Sequence, residues 1–300
     1  MKMLVIMGAT GKIGRATVGA LRRNSLPVRA VVRNPSTADE FRAIGCDIAV
    51  ADFSDMPALI EATKGASAVQ VICPTLVRAE NALSHMKATI DTIVEALAQS
   101  QPAHVLAISD YGAQLPTGTG ITLTFHHLEA QLRTLPASLT LLRSAEHMQN
   151  WGRSTGRALQ TGVLGTLHHP LSKSFPTVSA GDVGLIAADL LMADAGKAPR
   201  IVHAEGPRRC SASDVAQALS AIVGREIVAR EMPRQDWVAI LTAGGMSTSY
   251  AQLVADLFDA HNAGRIDAEQ GVGEIRKGKT ELSAALSALV PPLQQASGSA

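Results

Sequence analysis

The tightest constraint on this chain is a change of period within its first 24 residues. "MLVIM" at 3–7 is an unbroken apolar run, "GATGKIG" follows, and residues 13–24 carry helical spacing. Buried parallel strands read as continuous apolar runs, so the text predicts strand, tight turn and helix. Gly8, Gly11 and Gly14 fall where such a turn needs them. The first permits the turn, the second lets a phosphate approach the backbone, and the third lets the helix lie against the strand. The N–H groups at the helix start, around Thr10, Lys12 and Ile13, have no partner within the helix and sit at its positive end. Between a strand and a helix, such a loop points to the pyrophosphate of a dinucleotide.

The same alternation runs on. Short runs rich in Val and Ile at 28–32, 47–50, 68–72, 104–108 and 139–142 are separated by helical text at 35–43, 56–63, 78–99 and 121–135. This predicts an α/β fold, a Rossmann-type doubly wound parallel sheet whose strand C-termini share one ligand-binding edge. After about Asn150 the rhythm changes. One or two strands precede a helix near Ala180, with Asp182 in its first turn. Another strand follows at "IVHAE", then a helix capped by Ser211 or Ser213, then helical text from Arg234 to about Gly264. We expect residues 1–150 to form the nucleotide-binding domain. Residues 151–290 would form a smaller α+β lobe on the substrate side, partly interwoven with the first, and 291–300 a frayed tail.

The ends of the later strands refine the ligand. "AVVRNP" puts Arg33 where an NAD-binding chain carries a carboxylate, and a guanidinium there suits a ribose 2′-phosphate, so NADP(H) is expected over NAD(H). Lys12 and Arg15 add positive charge. Asp52 in "VADFSD" could bind the adenine amino group with Phe53 beside the ring, although an acid here could instead cap the next helix, a role better suited to Asp55. Pro74 and Thr75 in "VICPT" would line the ribose and pyrophosphate. Among the residues after the fifth and sixth strands, Ser109 and Tyr111 are candidates for the chemistry. Arg143, Glu146, His147, Asn150 and Trp151 would line the substrate side of the cleft.

Composition limits the partners. The 27 basic and 26 acidic side chains leave a net charge of +1, which argues against a nucleic-acid footprint or an anionic membrane surface. The first apolar run is too short for a secretory signal and no run is long enough to span a membrane, so a cytoplasmic protein is expected. Cys46, Cys73 and Cys210 lack any CxxC spacing and favour reduced thiols. Cys73 lies beside the expected cofactor, where redox activity competes with the usual inertness of a buried thiol. The pairs His126–His127 and His168–His169 lack metal-ligand spacing, so no metal is expected and solvated or helix-end histidines are. Glu129 would pair with Arg133 one helical turn on. The oligomeric state is left open.

The stretches "GATGKIG", "VVRNP", "ISDYGA", "LEAQLRTLPASLTLLRSAEHMQNW", "FPTVSAGDVG" and "GRIDAE…IRKGKTEL" together resemble the NmrA-like family of atypical short-chain dehydrogenase/reductases. The resemblance spans nearly the whole chain. It implies an NADPH-dependent reductase acting on quinone-like or other conjugated small molecules, or alternatively a non-catalytic NADP(H)-binding redox sensor. The Tyr-x-x-x-Lys pair of ordinary short-chain dehydrogenases is absent. Quinone-reductase-like relatives commonly place Lys or His four residues before the Glu that matches Glu129. That place is Phe125 here. His126, offset from it by one residue and so by about 100° round a helix, is the third catalytic candidate beside Ser109 and Tyr111. A quinone or dye accepts hydride and can then take a proton from solvent, so losing the Tyr–Lys pair is tolerable for that substrate class.

Overall fold

The structure, a computed structural model, describes residues 2–193, 196 and 198–291. Apart from Pro291, the tail expected to fray lies outside the described residues. The first half alternates strands and helices in order: β1 (Met3–Ile6), α1 (Lys12–Arg23), β2 (Val28–Val32), α2 (Asp39–Ala43), β3 (Asp47–Val50) and α3 (Met56–Thr63). There follow β4 (Ala66–Ile72), α4 (Ala82–Ser100), β5 (His104–Asp110), α5 (Leu123–Leu132) and β6 (Ser138–Ser144). The second half contains β7 (Glu146–His147), α6 (Gly152–Thr161), β8 (Val163–Thr166), β9 (Thr177–Val178), α7 (Ala180–Met192) and β10 (Arg200–Glu205). It ends with α8 (Ala212–Val223), β11 (Val228–Glu231), α9 (Trp237–Ala243), α10 (Thr248–Asn262), β12 (Glu274–Lys277) and α11 (Leu282–Ser287).

Eight parallel strands form one sheet in the order β12-β10-β6-β5-β4-β1-β2-β3. From β3 to β6 this is the Rossmann arrangement, and the winding direction reverses between β1 and β4, where a crevice opens at the strand C-termini. Side chains alternate across the sheet. β1 sends Leu4 and Ile6 into a core shared with α1 and α7, and Val5 and Met7 into one shared with α4.

Residues beyond 150 divide between two tasks. β10 and β12 extend the main sheet, and α7 packs on α1 so closely that a Cβ on Gly184 would lie 2.4 Å from the Ile13 carbonyl oxygen. The remainder builds a small lobe in which α6, α8 and α11 surround Trp151, Leu164, Val215, Leu219 and Leu286, with β8 and β11 paired beside them. Ser211, rather than Ser213, caps α8. Its hydroxyl accepts from the Asp214 N–H at 3.1 Å while Asp214 accepts from the Ser211 N–H at 2.7 Å.

Two expected helices are shorter than their text suggested. Asn34 accepts from the Ser36 N–H and holds 35–37 in a 3₁₀ turn before α2, and the stretch before α4 is loop up to Asn81. The sequence pattern does not predict β7, α6, β11, β12 or α11. Among the described residues no helix is long and apolar enough to cross a membrane.

Candidate functional site

The glycine loop opens the crevice at the end of β1. Gly8 has φ +71°, and a Cβ there would lie 2.5 Å from Ile72 Cγ2. At Gly14 a Cβ would meet the Gly8 carbonyl oxygen at 2.2 Å, so α1 lies against the loop only because this residue has no side chain. Gly11 is the α1 N-cap and offers no side-chain cap, and the first turn contains no acid. Unpartnered N–H groups and the helix dipole therefore face the crevice, with exposed Lys12 beside them and Ile13 turned into the core.

Arg33 follows β2 directly, is exposed, and makes no side-chain hydrogen bond or ion pair among the described residues. Asp52 ends β3, where its Oδ1 accepts from the Ser54 N–H at 2.9 Å and the Ser54 hydroxyl at 2.6 Å. Those bonds, with lesser help from Arg33, hold its carboxyl below the usual range. The cap of α3 falls to Asp55, which accepts from the Ala58 N–H at 3.0 Å, and Phe53 packs half-buried against the core. At the end of β4, Pro74 is buried and Thr75 exposed. An uncapped helix start and a guanidinium unpaired among the described residues, at the same edge of the sheet, fit a pyrophosphate and a phosphorylated ribose. Arg15 is a correction. Its guanidinium is ion-paired with Glu40 and donates to the Thr10 carbonyl at 2.9 Å, so its charge is already matched. Cys73 is buried with its thiol 3.5 Å from Thr124 Oγ1, and burial pushes it up to about 12, which leaves it protonated and unreactive.

Past β5 and β6 lies a buried polar network. Ser109 donates to Glu129 Oε1 at 2.6 Å, and Arg143, its register neighbour on β6, grips Glu129 through Nε at 2.8 Å and Nη2 at 2.7 Å. The remaining Arg143 nitrogen, Nη1, donates to Glu269 at 2.5 Å. The expected Glu129–Arg133 pair is present but long, at 3.9 Å from an exposed Arg133, while the facing strand supplies the closer, buried fork. That fork corrects Arg143 as a lining residue, since only 2% of it is exposed. The Tyr111 hydroxyl donates to Glu205 at 3.1 Å, and burial together with the Glu205 charge pushes its phenol far above the usual range. Glu205 also takes Lys277 at 2.5 Å and Arg209 at 3.1 Å. Asp110 accepts from Thr122 at 2.6 Å, and burial pushes its carboxyl up to about 7.

The histidines separate. His126 lies with Nδ1 2.8 Å from the Ala113 carbonyl, and His127 pairs with Asp91 at 2.6 Å. His147 contacts Ser144 Oγ at 3.0 Å, and burial lowers it to about 4. His168, expected in solvent, is 4% exposed; it stacks on Phe175 with ring centroids 3.8 Å apart and sits 3.0 Å from Glu146. No local pattern signals this pair, because the partners lie 22 residues apart and meet only after β7 and β9 pair. Asn150 is exposed, whereas Trp151 is buried beside His168.

Comparison with known proteins agrees with this architecture. The chain is 24% identical over 259 residues to quinone oxidoreductase 2 of Escherichia coli (strain K12), covering 85% of this chain and 86% of that protein. It is also 24% identical over 257 residues to an NAD(P)H azoreductase of Xenophilus azovorans, with the same coverage of both chains. The structure of the Escherichia coli NADPH-dependent quinone oxidoreductase complexed with NADPH superposes with a TM-score of 0.78 at 21% identity, over 96% of this chain and 99% of that one. Residues 1–280 match the NmrA-like family, and with the sheet order and glycine turn described above the chain belongs to that family.

Proposed function

We propose that this protein is an NADPH-dependent oxidoreductase that reduces a quinone-like or other conjugated small molecule. One observation carries the reading: the α1 N-terminus has no side-chain cap, and Arg33, at the same edge of the sheet, has no hydrogen-bond or ion-pair partner among the described residues. Gly8, Thr10, Gly11, Lys12, Ile13 and Gly14 would hold the pyrophosphate, Arg33 the 2′-phosphate, Asp52 and Phe53 the adenine, and Pro74 and Thr75 the nearer ribose. The reduced nicotinamide would supply hydride. Ser109 and Tyr111 have their hydroxyls engaged by Glu129 and Glu205, so in this reading they shape the pocket floor. The relatives act on quinone and azo compounds by name, which supports a conjugated acceptor over a simple alcohol. The test is NADPH consumption against a panel of quinones and dyes. Turnover with at least one is expected, and none with any member would overturn the reading.

A second reading is a non-catalytic NADP(H) sensor. The engaged hydroxyls of Ser109 and Tyr111, with no Tyr-x-x-x-Lys pair, favour it. A sensor must discriminate oxidised from reduced cofactor, so equal affinities by calorimetry would remove its basis.

A further inference from the structure

Aromatic residues are scarce in this chain, 3% of the total, yet they are unevenly placed. Trp151, Phe175 and Phe258 all lie within 6 Å of the His168 ring, at centroid distances of 5.7, 3.8 and 4.8 Å, and His261 joins them at 5.7 Å. The segments that bring them together are the turn after β7, the loop between β8 and β9, and α10. This cluster lies toward the C-terminal edge of the main sheet, because Glu146 comes two residues after β6 and its charge reaches Asp110 at the end of β5.

Polar atoms are concentrated among these rings. Glu146 Oε2, His168 Nε2, Trp151 Nε1 and His261 Nδ1 are all buried without a hydrogen-bond partner. Glu146 and His168 face each other at 3.0 Å, which leaves the Trp151 and His261 nitrogens as the atoms with nothing opposite them. Native interiors rarely leave such groups unmatched, and the Trp151 and His261 nitrogens beside the Glu146–His168 pair call for a ligand atom that completes them. The set holds a carboxylate acceptor beside ring nitrogens able to donate, between flat apolar walls. That combination fits the hydroxyl or carbonyl end of a planar aromatic molecule.

We propose that Glu146, His168 and His261 form the subsite for the oxygen-bearing end of the acceptor, and that His168 delivers the proton that accompanies hydride onto that oxygen. This rests on the reductase reading above. As hydride from the reduced nicotinamide reaches a quinone, one carbonyl becomes a phenolate. An N–H bond of His168 breaks and an O–H bond forms, leaving the hydroquinone and a neutral imidazole that regains its proton from solvent. Glu146 is the positioning residue, since its carboxylate lies 3.0 Å from His168 Nε2 and orients the ring. Burial alone would raise its carboxyl, but His168, His261 and His147 together bring it down to about 2, so it stays ionised. The other groups facing this cluster are Asp110 from β5 and, beside His261, Lys173.

The experiment uses 1-naphthol, a flat aromatic with one hydroxyl, titrated into the NADP⁺-saturated protein. Trp151 lies in the cluster and Trp237 behind it against His169, so tryptophan fluorescence reports binding directly. Glu146→Gln and His168→Gln are expected to weaken naphthol about ten-fold or more, through loss of buried hydrogen bonds. Their affinity for NADPH should be unchanged, which also certifies folding; Glu146→Asp serves as the milder variant and should recover part of the binding. No binding by the parent protein, or binding within two-fold in both variants, would overturn the subsite.

With 1,4-naphthoquinone as acceptor, the alkaline limb of the kcat–pH profile should move to lower pH in Glu146→Gln and vanish in His168→Gln. An unmoved profile would overturn the proton transfer. If naphthol binds through these residues while no acceptor consumes NADPH, the reductase reading and the proton step fail together and the binding site stands.

Discussion

Arg33 is a guanidinium without a partner among the described residues at the end of the second strand, and its loss has a specific signature. Arg33→Ala should weaken NADPH more than NADH by about 1.5–3 kcal/mol, the worth of a charged hydrogen bond, measured by calorimetry. Equal losses would mean that it does not touch the phosphate. Glu129 makes the opposite case, a carboxylate matched inside the protein. Glu129→Gln leaves buried Arg143 short of a charge and should cost about 3 kcal/mol in urea unfolding at an unchanged m-value. The two residues also mark what could be read from text. Arg33 was legible because its place is fixed by counting along one strand. The closer partner of Glu129 was not: helical spacing offers Arg133, which pairs at 3.9 Å, while the buried fork comes from a neighbouring strand whose register is set by the whole sheet. His168 was misplaced for the same reason, since nothing local distinguishes a buried imidazole from a solvated one.

At the level of elements, the central strands were readable because burial on both faces makes them unbroken apolar runs. β12 was not, because "EIRK" lies at the sheet edge and leaves Ile275 52% exposed, so no apolar pattern marks it. α6 hid behind two glycines in ten residues. The glycines themselves separate into kinds that substitution should reveal. Gly184 lies where α7 touches α1, and a Cβ would meet Ala16 Cβ at 2.6 Å as well as the Ile13 carbonyl. Gly184→Ala should destabilise by about 1–3 kcal/mol through overpacking. Gly156 lies within α6 with nothing inside 4 Å of its missing Cβ, and Gly156→Ala should stabilise by about 0.4–1 kcal/mol. Thermal unfolding of the pair checks both, and equal shifts would contradict the packing described for α1 and α7.

For the molecule as a whole, pH acts through Asp110. Its folded carboxyl titrates near 7, well above an unfolded aspartate, because burial disfavours the charge. The unfolded chain therefore releases this proton first as pH rises, and the group's effect on stability grows more unfavourable from about pH 4 until it levels off above about pH 7. Asp110→Asn keeps an acceptor for Thr122 without the charge. The variant should gain on the parent protein as pH is raised from 4 to 8, followed as Tm at each pH, and a constant difference would mean that the carboxyl is not the source. The contact between α7 and α1 has a further consequence for how the chain comes off the ribosome. All six strands of the nucleotide-binding arrangement have emerged by Ser144, yet the helix that shields the outer flank of α1 is synthesised some forty residues later. A nascent chain halted at 150 would hold a nearly complete cofactor cradle with a bare greasy flank. A separately expressed 1–150 fragment should consequently be sticky and chaperone-bound, however well its sheet is formed.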